Sequence, residues 1–262
     1  MNTSKVAIWR LISVFFLMTG WFGESAFSQP TPQKSTISED ILIGLLNESA
    51  GASSPVHYAA QKDRLLRRYY VYVDLGLSVK WAICNLGTYK PEENGDYYSW
   101  GETRSKKYYW YDSYLWYNQS TKKFTKYVTD SEYGTVDNKK SLDISDDAAR
   151  KNWGAPWRMP TREEWNELIT KCTWTWTTQG RLKGFKVTGP NGKSIFLSAS
   201  GCWWGDSIEN MGESLYYWSS TLDTDYPHDA WVLHGADYMD APGASRSSRY
   251  NGLVIRPVLD KP

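Results

Sequence analysis

The sequence predicts a loop-rich α+β fold in which two short helices pack on small, mostly antiparallel sheets. Residues 144–154 and 160–172 carry helix-capping signals. Many other segments are short, rich in β-branched and aromatic residues, and separated by Gly, Asn, Asp or Pro, which is typical of strands and turns. The chain also has 15 Trp and 19 Tyr among 262 residues, so aromatic side chains supply much of the area available for a core.

Capping residues and periodicity predict the two helices. In "ISDDAARKNWG", Ser145 is the predicted N-cap, acids come first, basic residues come last, and Gly154 follows the end. In "PTREEWNELITKC", Thr161 and Glu164 form a predicted capping box. Apolar residues recur at i, i+3, i+4 and i+7 from Trp165, which predicts one buried helix face.

Strands are predicted on both sides of the helical pair. "RYYVYVDLGLSVKWAICNLG" predicts two strands joined by a tight turn near Gly76. The later strands are predicted in "TWTWTT", "LKGFKVTGP", "SIFLSAS", "YYWSST", "AWVLHG" and "LVIRPV". Turn residues between these segments favour antiparallel pairing.

The first 28 residues have the pattern of a signal peptide. The apolar run "LISVFFLMTGWF" follows Lys5 and Arg10 and is too short to span a membrane, and the small residues Ala26 and Ser28 after the run predict cleavage after Ser28. We therefore expect an exported protein that is periplasmic, on the outer cell surface or secreted. Residues 29–68 are predicted to be a linker with short helices in "SEDILIGLLNESAG" and "HYAAQKDRLLRR", and residues 69–262 are the predicted domain.

Charge argues against nucleic acid and anionic membranes as partners. The formal net charge of the chain is +1, and removal of the first 28 residues, which hold two basic residues and one acid, leaves 0. A neutral protein with scattered charges has no long-range field that attracts polyanions. After signal cleavage we expect no membrane span.

Residue patterns point to neither catalysis nor metal binding. Glu163, Glu164 and Glu167 lie together on the second helix, but Glu164 completes the cap, and paired glycosidic acids should converge on a cleft. His228 and His234 are six residues apart and match no usual metal motif. We therefore expect no catalytic residues, no metal and no cofactor.

Several ordered blocks of the domain resemble a known family. They include "VDLGLSVKWAICNLG", "GDYYSWGE", "DDAARKNWGAPWRMPTREEWNELITKCTWTWTT", "GFKVTGPNGKSIFL", "YYWSST" and "RYNGLVIRPV". Together they resemble the major paralogous domain first named from Fibrobacter succinogenes, over about residues 70–259. That family looks like the C-type-lectin-like superfamily, in the branch of the formylglycine-generating enzyme. The resemblance implies a C-type-lectin-like fold with two helices on small twisted sheets, in an exported protein of Bacteroides-like bacteria.

The resemblance also constrains activity and cysteine chemistry. Formylglycine-generating enzymes hold copper with two cysteines near the closing strand, but no Cys follows Trp203 here. The calcium-site patterns of sugar-binding C-type lectins, Glu-Pro-Asn or Gln-Pro-Asp followed by Trp-Asn-Asp, are also absent from the sequence. Cys84 and Cys172 are candidate disulfide partners with Cys202 as the odd thiol; alternatively, all three are reduced.

Residues 233–252, "LHGADYMDAPGASRSSRYNG", contain little that could fill a core. In relatives with diversity-generating cassettes, positions between the "WSST"-like and "RPV"-like blocks vary on a fixed frame. The mixture of Tyr, Ser, Gly, Asp and Arg is typical of antibody paratopes, although small polar residues also make ordinary loops. We expect an outward-facing ligand-binding loop surface here. Its predicted contact residues are Asp225, Tyr226, His228, Trp231, His234, Asp237, Tyr238, Asp240, Arg246, Arg249 and Tyr250.

The run "YYWYDSYLWY", residues 108–117, admits two interpretations. Its rings could be exposed and stack on sugars or anchor a protein, or they could form a satellite cluster under a loop. The predicted function is an exported, non-enzymatic module that binds a protein or glycan at the cell surface. The alternatives are an enzyme acting on an exported or cell-wall substrate, and a structural subunit of a surface assembly that docks through residues 37–67.

Overall fold

The computed structural model describes residues 59–62 and 69–261, which contain two α-helices and fourteen short strands. The helices are α1 (Ala148–Trp153) and α2 (Arg162–Lys171). The strands before them are β1 (Ala59–Lys62), β2 (Tyr69–Val73), β3 (Val79–Ala82), β4 (Tyr117–Asn118) and β5 (Lys123–Phe124). The strands after them are β6 (Thr173–Gln179), β7 (Leu182–Thr188), β8 (Ser194–Ser198), β9 (Cys202–Trp204), β10 (Ser207–Glu209), β11 (Ser214–Leu222), β12 (Asp229–Ala236), β13 (Gly243–Ser248) and β14 (Val258–Asp260).

The strands form small separate sheets. The larger sheets have the orders β1-β2-β3-β14, β6-β7-β8 and β11-β12-β13, and two further hairpins pair β4 with β5 and β9 with β10. Every pair of these strands is antiparallel. The described part of the chain is therefore a loop-rich α+β fold, as predicted.

The second helix begins as its sequence predicts. The Thr161 hydroxyl accepts a hydrogen bond from the Glu164 amide at 3.2 Å, and the Glu164 carboxylate accepts one from the Thr161 amide at 2.8 Å. Trp165 and Leu168 are buried, which confirms the predicted core face. This local signal is reliable because both partners lie within one helical turn.

The first helix begins later than predicted, since Asp147 and not Ser145 is its N-cap. One Asp147 oxygen accepts from the Arg150 amide at 2.9 Å, and the other accepts from the Met159 amide at 2.8 Å. The second bond reaches beyond the helix. Asp147 thus caps α1 and also fixes the segment that leads into α2, which a hydroxyl at Ser145 could not do.

The predicted helix in "HYAAQKDRLLRR" is wrong where the structure describes it. Ala59–Lys62 is strand β1, and Ala60 pairs with Val71 of β2. Pairing with an existing sheet outweighs a weak helix preference. The other short helix and the predicted signal peptide lie outside the described residues.

Tryptophans fill the core and also hydrogen-bond within it. Trp157, Trp165 and Trp218 are buried, as predicted, whereas Trp174 and Trp176 are half-buried against the core. The Trp218 indole donates to the Tyr98 carbonyl at 2.7 Å. The reciprocal bond runs from the Trp100 indole to the Ser219 carbonyl at 2.8 Å. Large rings therefore give apolar area and at the same time join β11 to the irregular chain before it.

A buried arginine near the C-terminus holds three distant segments together. Arg256 is fully buried, and its guanidinium donates to the side-chain oxygen of Asn85 at 2.8 Å and to the Phe196 carbonyl at 2.8 Å. It also donates to the carbonyls of Ala82 and Ile83 at 3.0 and 2.6 Å. Burial lowers the pKa of Arg256, but these acceptors satisfy its donors.

Half of the segment predicted as an exposed loop, residues 233–252, lies in two strands, the first of which includes the strand predicted in "AWVLHG". Residues 229–236 form β12 and residues 243–248 form β13, with Trp231 opposite Arg246 and His234 opposite Gly243. The prediction of a loop was wrong because β13 consists of small polar residues whose strand partner supplies the apolar side chains. The described chain has no helix with the length and apolar character needed to cross a membrane.

The Glu167 carboxylate joins α2 to the turn between β2 and β3. It accepts hydrogen bonds from the amide of Ser78 at 2.9 Å, from the Ser78 hydroxyl, and from the Lys171 ammonium at 2.9 Å. Burial by itself would raise the pKa of Glu167, but these hydrogen bonds outweigh it and hold the pKa below its ordinary value. The ionised carboxylate therefore stabilises the folded state.

We expect Glu167→Gln to reduce the free energy of unfolding at pH 7 by about 1–3 kcal/mol, because a charged hydrogen-bond acceptor is lost. The folded pKa lies below the unfolded one, so this contribution is present above the unfolded pKa and disappears as pH falls through the folded pKa. Urea denaturation at pH 7 and at low pH measures both values. Glu163→Gln, on an exposed position of the same helix, is the control. An equal loss for Glu167→Gln at both pH values would contradict this account.

Candidate ligand-binding face

The predicted contact residues lie at opposite ends of the β12–β13 hairpin. Asp229 pairs with Ser248 at one end, and His234 pairs with Gly243 towards the other. An eight-residue strand spans about 24 Å at about 3.4 Å per residue, which separates the two ends. The prediction of one continuous contact surface is therefore wrong. Antiparallel pairing places the start of β12 beside the end of β13.

One end of the hairpin is an exposed turn with few partners. Asp237, Tyr238 and Asp240 are exposed, and Tyr238 retains 80% of its accessible surface. The His234 ring stacks on Tyr216 with 4.5 Å between ring centroids and 14° between planes, and burial lowers the pKa of His234. Substitutions at this end therefore serve as controls in the binding experiments.

The other end, which we call the loop corner, comprises residues 223–229 with Arg246 and Ser248. The Arg246 guanidinium lies 4.4 Å from the ring centroid of Tyr226, and its Nη1 is 3.2 Å from Asp223 Oδ2. The other oxygen of Asp223 accepts from the amides of Asp225 and Tyr226 at 3.0 and 3.4 Å. Asp223 therefore shapes the loop from within, while Tyr226 and Asp225 stay exposed.

A histidine and a carboxylate lie together in the loop corner. The His228 ring is 5.5 Å from Tyr133 and 6.0 Å from Tyr226, measured between centroids. His228 Nε2 is 3.7 Å from Asp229 Oδ2, and the Ser248 hydroxyl is 3.1 Å from Asp229 Oδ1. Burial raises the pKa of Asp229, although His228 and Ser248 act in the opposite direction. Asp229 therefore presents a half-buried acceptor beside the His228 ring.

A line of ring contacts, the aromatic row, runs next to the loop corner. Its members are Trp204, Trp110, Tyr250, Tyr111 and Tyr117. Successive ring centroids are 5.8, 5.4, 4.2 and 4.9 Å apart in that order. Trp204 is 54% exposed, Tyr250 is buried, and the other three are half-buried. The row thus presents ring surfaces from three separate segments of the chain.

Both interpretations of residues 108–117 describe part of this arrangement. Tyr114 is buried with Phe124, Val128 and Tyr250 in a satellite cluster. Trp110, Tyr111 and Tyr117 pack on that cluster but remain partly exposed. The cluster therefore supports the rings that reach the surface.

Arg249 and Tyr250 join the aromatic row to the loop corner, because the Arg249 amide donates to the His228 carbonyl at 3.0 Å and the next residue, Tyr250, belongs to the row. Burial raises the pKa of Tyr111 to about 12, with contributions from Tyr250, Tyr117 and the negative charge of Asp229. Its hydroxyl therefore stays protonated near neutral pH. We call the combined surface the ligand face. Its residues that are at least partly exposed are Trp110, Tyr111, Tyr117, Tyr133, Trp204, Thr224, Asp225, Tyr226, His228, Asp229, Arg246 and Ser248.

Arg249 holds the ligand face in place from below. Its Nε donates to the Tyr114 hydroxyl at 3.0 Å, and its Nη1 donates to the Pro227 carbonyl at 2.9 Å. The carbonyls of Tyr127 and Lys126 accept two further bonds at 3.2 and 2.8 Å. One guanidinium therefore connects the loop corner, the cluster beneath the row and the chain after β5.

The prediction that Arg249 and Tyr250 contact a ligand is wrong. Arg249 is 0% exposed and Tyr250 is buried, because both turn inward where β13 ends. Trp231 is only half-buried, but the Arg162 guanidinium lies 3.4 Å from its ring centroid and covers that ring. Arg and aromatic side chains occur both in buried hydrogen-bond networks and on exposed surfaces. Composition alone therefore could not predict which of these residues are buried.

Several residues of the ligand face were missed as predicted contacts. Trp110, Tyr111 and Tyr117 belong to the aromatic run that the sequence marked as one of two possibilities. Tyr133 and Trp204 had no local signal, because only the folded chain brings them to this surface. Asp229 was not among the predicted contacts, although it directly follows His228.

The three cysteines are free thiols, and the candidate disulfide between Cys84 and Cys172 is not formed. Burial raises the pKa of Cys84 to about 12 and the pKa values of Cys172 and Cys202 to about 11. Within the described ranges, no three His, Cys, Asp or Glu side chains converge in a way that could hold a metal ion.

Comparison with known proteins does not assign the chain to a family. No family model, curated protein or solved structure matches it. The fold class that the structure establishes is a loop-rich α+β arrangement of small sheets and two helices. Function must therefore be argued from the ligand face itself.

We expect Arg249→Met to reduce the free energy of unfolding by about 3 kcal/mol or more, because it leaves buried carbonyls without donors. Arg249→Lys should recover little, since an ammonium cannot reproduce the planar fork of donors. Urea denaturation measures both changes. Arg104→Met, at an exposed position, is the matched control. Equal stability of Arg249→Met and the unmodified protein would refute the anchoring role.

We expect three thiols per chain to react with Ellman's reagent when the protein is unfolded in guanidinium without reductant, because all three cysteines are free. In the folded protein at pH 8 the reaction should be slow, since Cys84 is buried and the raised pKa values of all three thiols leave little thiolate. A single reactive thiol after unfolding would instead indicate a disulfide between two of the three cysteines.

Proposed function

We propose that this protein is an exported, non-enzymatic binding module that presents the ligand face to a protein or glycan at the bacterial cell surface. The proposal depends mainly on one observation: the partly exposed rings of Tyr133 and Tyr226 lie within 6.0 Å of the His228 ring, beside the Asp229 carboxylate, on a surface anchored by Arg249. Rigid amphipathic rings beside polar groups are typical of binding surfaces.

Preorganisation supports a binding role. The Arg246 guanidinium lies against the Tyr226 ring, and the His228 ring lies between Tyr133 and Tyr226. Side chains that are already held by neighbours lose less conformational entropy when a ligand binds. Loops on a rigid scaffold are also the usual place for recognition residues.

The state of the nearby carboxylates favours binding over hydrolysis. A glycosidase needs two carboxyl groups that both act on the ligand. Asp223, the neighbour of Asp229, is buried and is already engaged by Arg246 and by two backbone amides. An enzyme acting on a cell-wall substrate therefore remains the weaker alternative. The structural-subunit alternative relies on residues 37–67, of which the structure describes only 59–62.

We also propose that the chain is a major paralogous domain with a C-type-lectin-like fold. The quoted sequence blocks support this proposal, and so does the coarse architecture of two helices with small antiparallel sheets. Export is supported by the predicted signal peptide alone. In such a protein, a surface without a calcium-site motif would have to bind through side chains.

We expect the double variant Tyr226→Ala/His228→Ala to weaken capture of the ligand at least tenfold on an array of glycans and bacterial surface proteins. Loss of two central contacts costs about 1.4 kcal/mol or more. Tyr238→Ala, at the exposed far end of the hairpin, is the control and should bind normally. Thermal unfolding of all variants should stay close to that of the unmodified protein. Loss of capture in Tyr238→Ala, with normal capture by the double variant, would place the site elsewhere.

A further inference from the structure

We propose that the ligand is a neutral glycan chain, which lies along the aromatic row and places one sugar at Asp229. This inference rests on the proposed binding function and narrows it to one class of ligand. It is carried by the order of the rings, by the polar groups at their junction and by the small size of the surface.

The aromatic row is assembled before any ligand arrives. Tyr109 and Gly205 exchange backbone hydrogen bonds of 2.8 and 3.0 Å, and Trp203 and Gly252 exchange a second pair of the same lengths. A Cβ at Gly252 would lie 2.7 Å from the Tyr109 ring, so this close approach requires glycine. The segments that carry Trp110, Trp204 and Tyr250 are therefore joined by their backbones.

The row offers several rings to a chain of sugars. Trp204, Trp110, Tyr111 and Tyr117 are each at least partly exposed and follow one another in that order, with the buried Tyr250 between Trp110 and Tyr111. The C–H faces of sugar rings stack on aromatic faces, and successive rings allow successive sugars to stack. A ligand with several sugars should therefore bind more tightly than a short one.

Polar groups at the junction fit sugar hydroxyls. Asp229 accepts from Ser248 through Oδ1, while Oδ2 lies 3.7 Å from His228 Nε2, beyond an ordinary hydrogen bond. Carboxylates have acceptor sites for several donors, so Oδ2 can accept sugar hydroxyls. The nearby cation, Arg246, is paired with Asp223. The negative charge of Asp229 therefore disfavours acidic sugars.

The size of the ligand face favours a glycan over a protein. Stable protein–protein interfaces use about 20–30 residues on each side, and charged residues are depleted from their centres. The ligand face has twelve residues that are at least partly exposed, and Asp229 pairs with Ser248, two residues before Tyr250 of the aromatic row. A narrow ligand with many hydroxyl groups satisfies both features.

Calorimetric titration of the full chain tests this inference. The probes are neutral hexasaccharides and disaccharides of glucose, mannose, xylose and N-acetylglucosamine, a hexagalacturonate, and a surface-protein extract fractionated on immobilised protein. We expect at least one neutral hexasaccharide to bind, at least tenfold more tightly than its disaccharide. Trp204→Ala, at an exposed ring, should remove most of this length dependence. The near-isosteric Asp229→Asn should weaken the hexasaccharide and the disaccharide alike.

The controls separate this inference from the broader function. Tyr238→Ala should change none of these affinities, and thermal unfolding should confirm that each variant is folded. Binding of hexagalacturonate alone, or no binding of any neutral chain, would overturn the glycan assignment. So would Trp204→Ala and Asp229→Asn variants that bind with the affinity of the unmodified protein. If the extract then yields a protein ligand that Tyr226→Ala/His228→Ala no longer captures, the binding function stands and the glycan does not. If that double variant captures normally, both proposals fail.

Discussion

The Arg249 guanidinium is the contact on which the surface of this protein depends. It is fully buried, and its four bonds end on three backbone carbonyls and the Tyr114 hydroxyl. Its carbon lies 4.6 Å from the ring centroid of Phe124, so the planar cation is both stacked and hydrogen-bonded. A loop with few apolar side chains cannot be fixed by packing alone, and here a buried cation supplies the missing constraint. The loop corner and the aromatic row keep their relative positions because Arg249 bonds to Pro227 in the loop corner and to Tyr114 in the cluster beneath the row.

Arg256 connects distant segments in the core, as Arg249 connects them beneath the surface. It bonds to the side chain of Asn85 and to the carbonyls of Ala82, Ile83 and Phe196. It therefore connects the β2–β3 hairpin, β8 and the closing segment. Tryptophan indoles add bonds of the same kind between β11 and irregular chain. Small sheets with long connections leave many backbone carbonyls outside any ladder, and these must be satisfied when buried. The Trp indoles and the two buried arginines both donate hydrogen bonds to such buried carbonyls.

Some residues of the candidate site were predicted to lie on one surface. Tyr226, His228 and Arg246 were predicted as contacts, and all three lie on the ligand face. His234 and Tyr238 were predicted with them, but the eight-residue strand β12 carries them to the far end of the hairpin. The error came from treating neighbours in sequence as neighbours in space. Asp229 could have been found from its position beside His228, whereas Trp204 could not.

Sequence by itself determined the elements whose partners are local. The capping box at Thr161 and Glu164, the buried face of α2, the β2–β3 hairpin and most strands after α2 follow from residues a few positions apart, and so does the α+β class. Tertiary structure alone decided that Asp147 caps α1, that residues 243–248 form a strand, that Arg249 turns inward and that three distant segments build the aromatic row. The physical reason is that each of these outcomes depends on a partner far along the chain. Short polar segments have weak preferences of their own, so the contacts available after folding choose among their conformations.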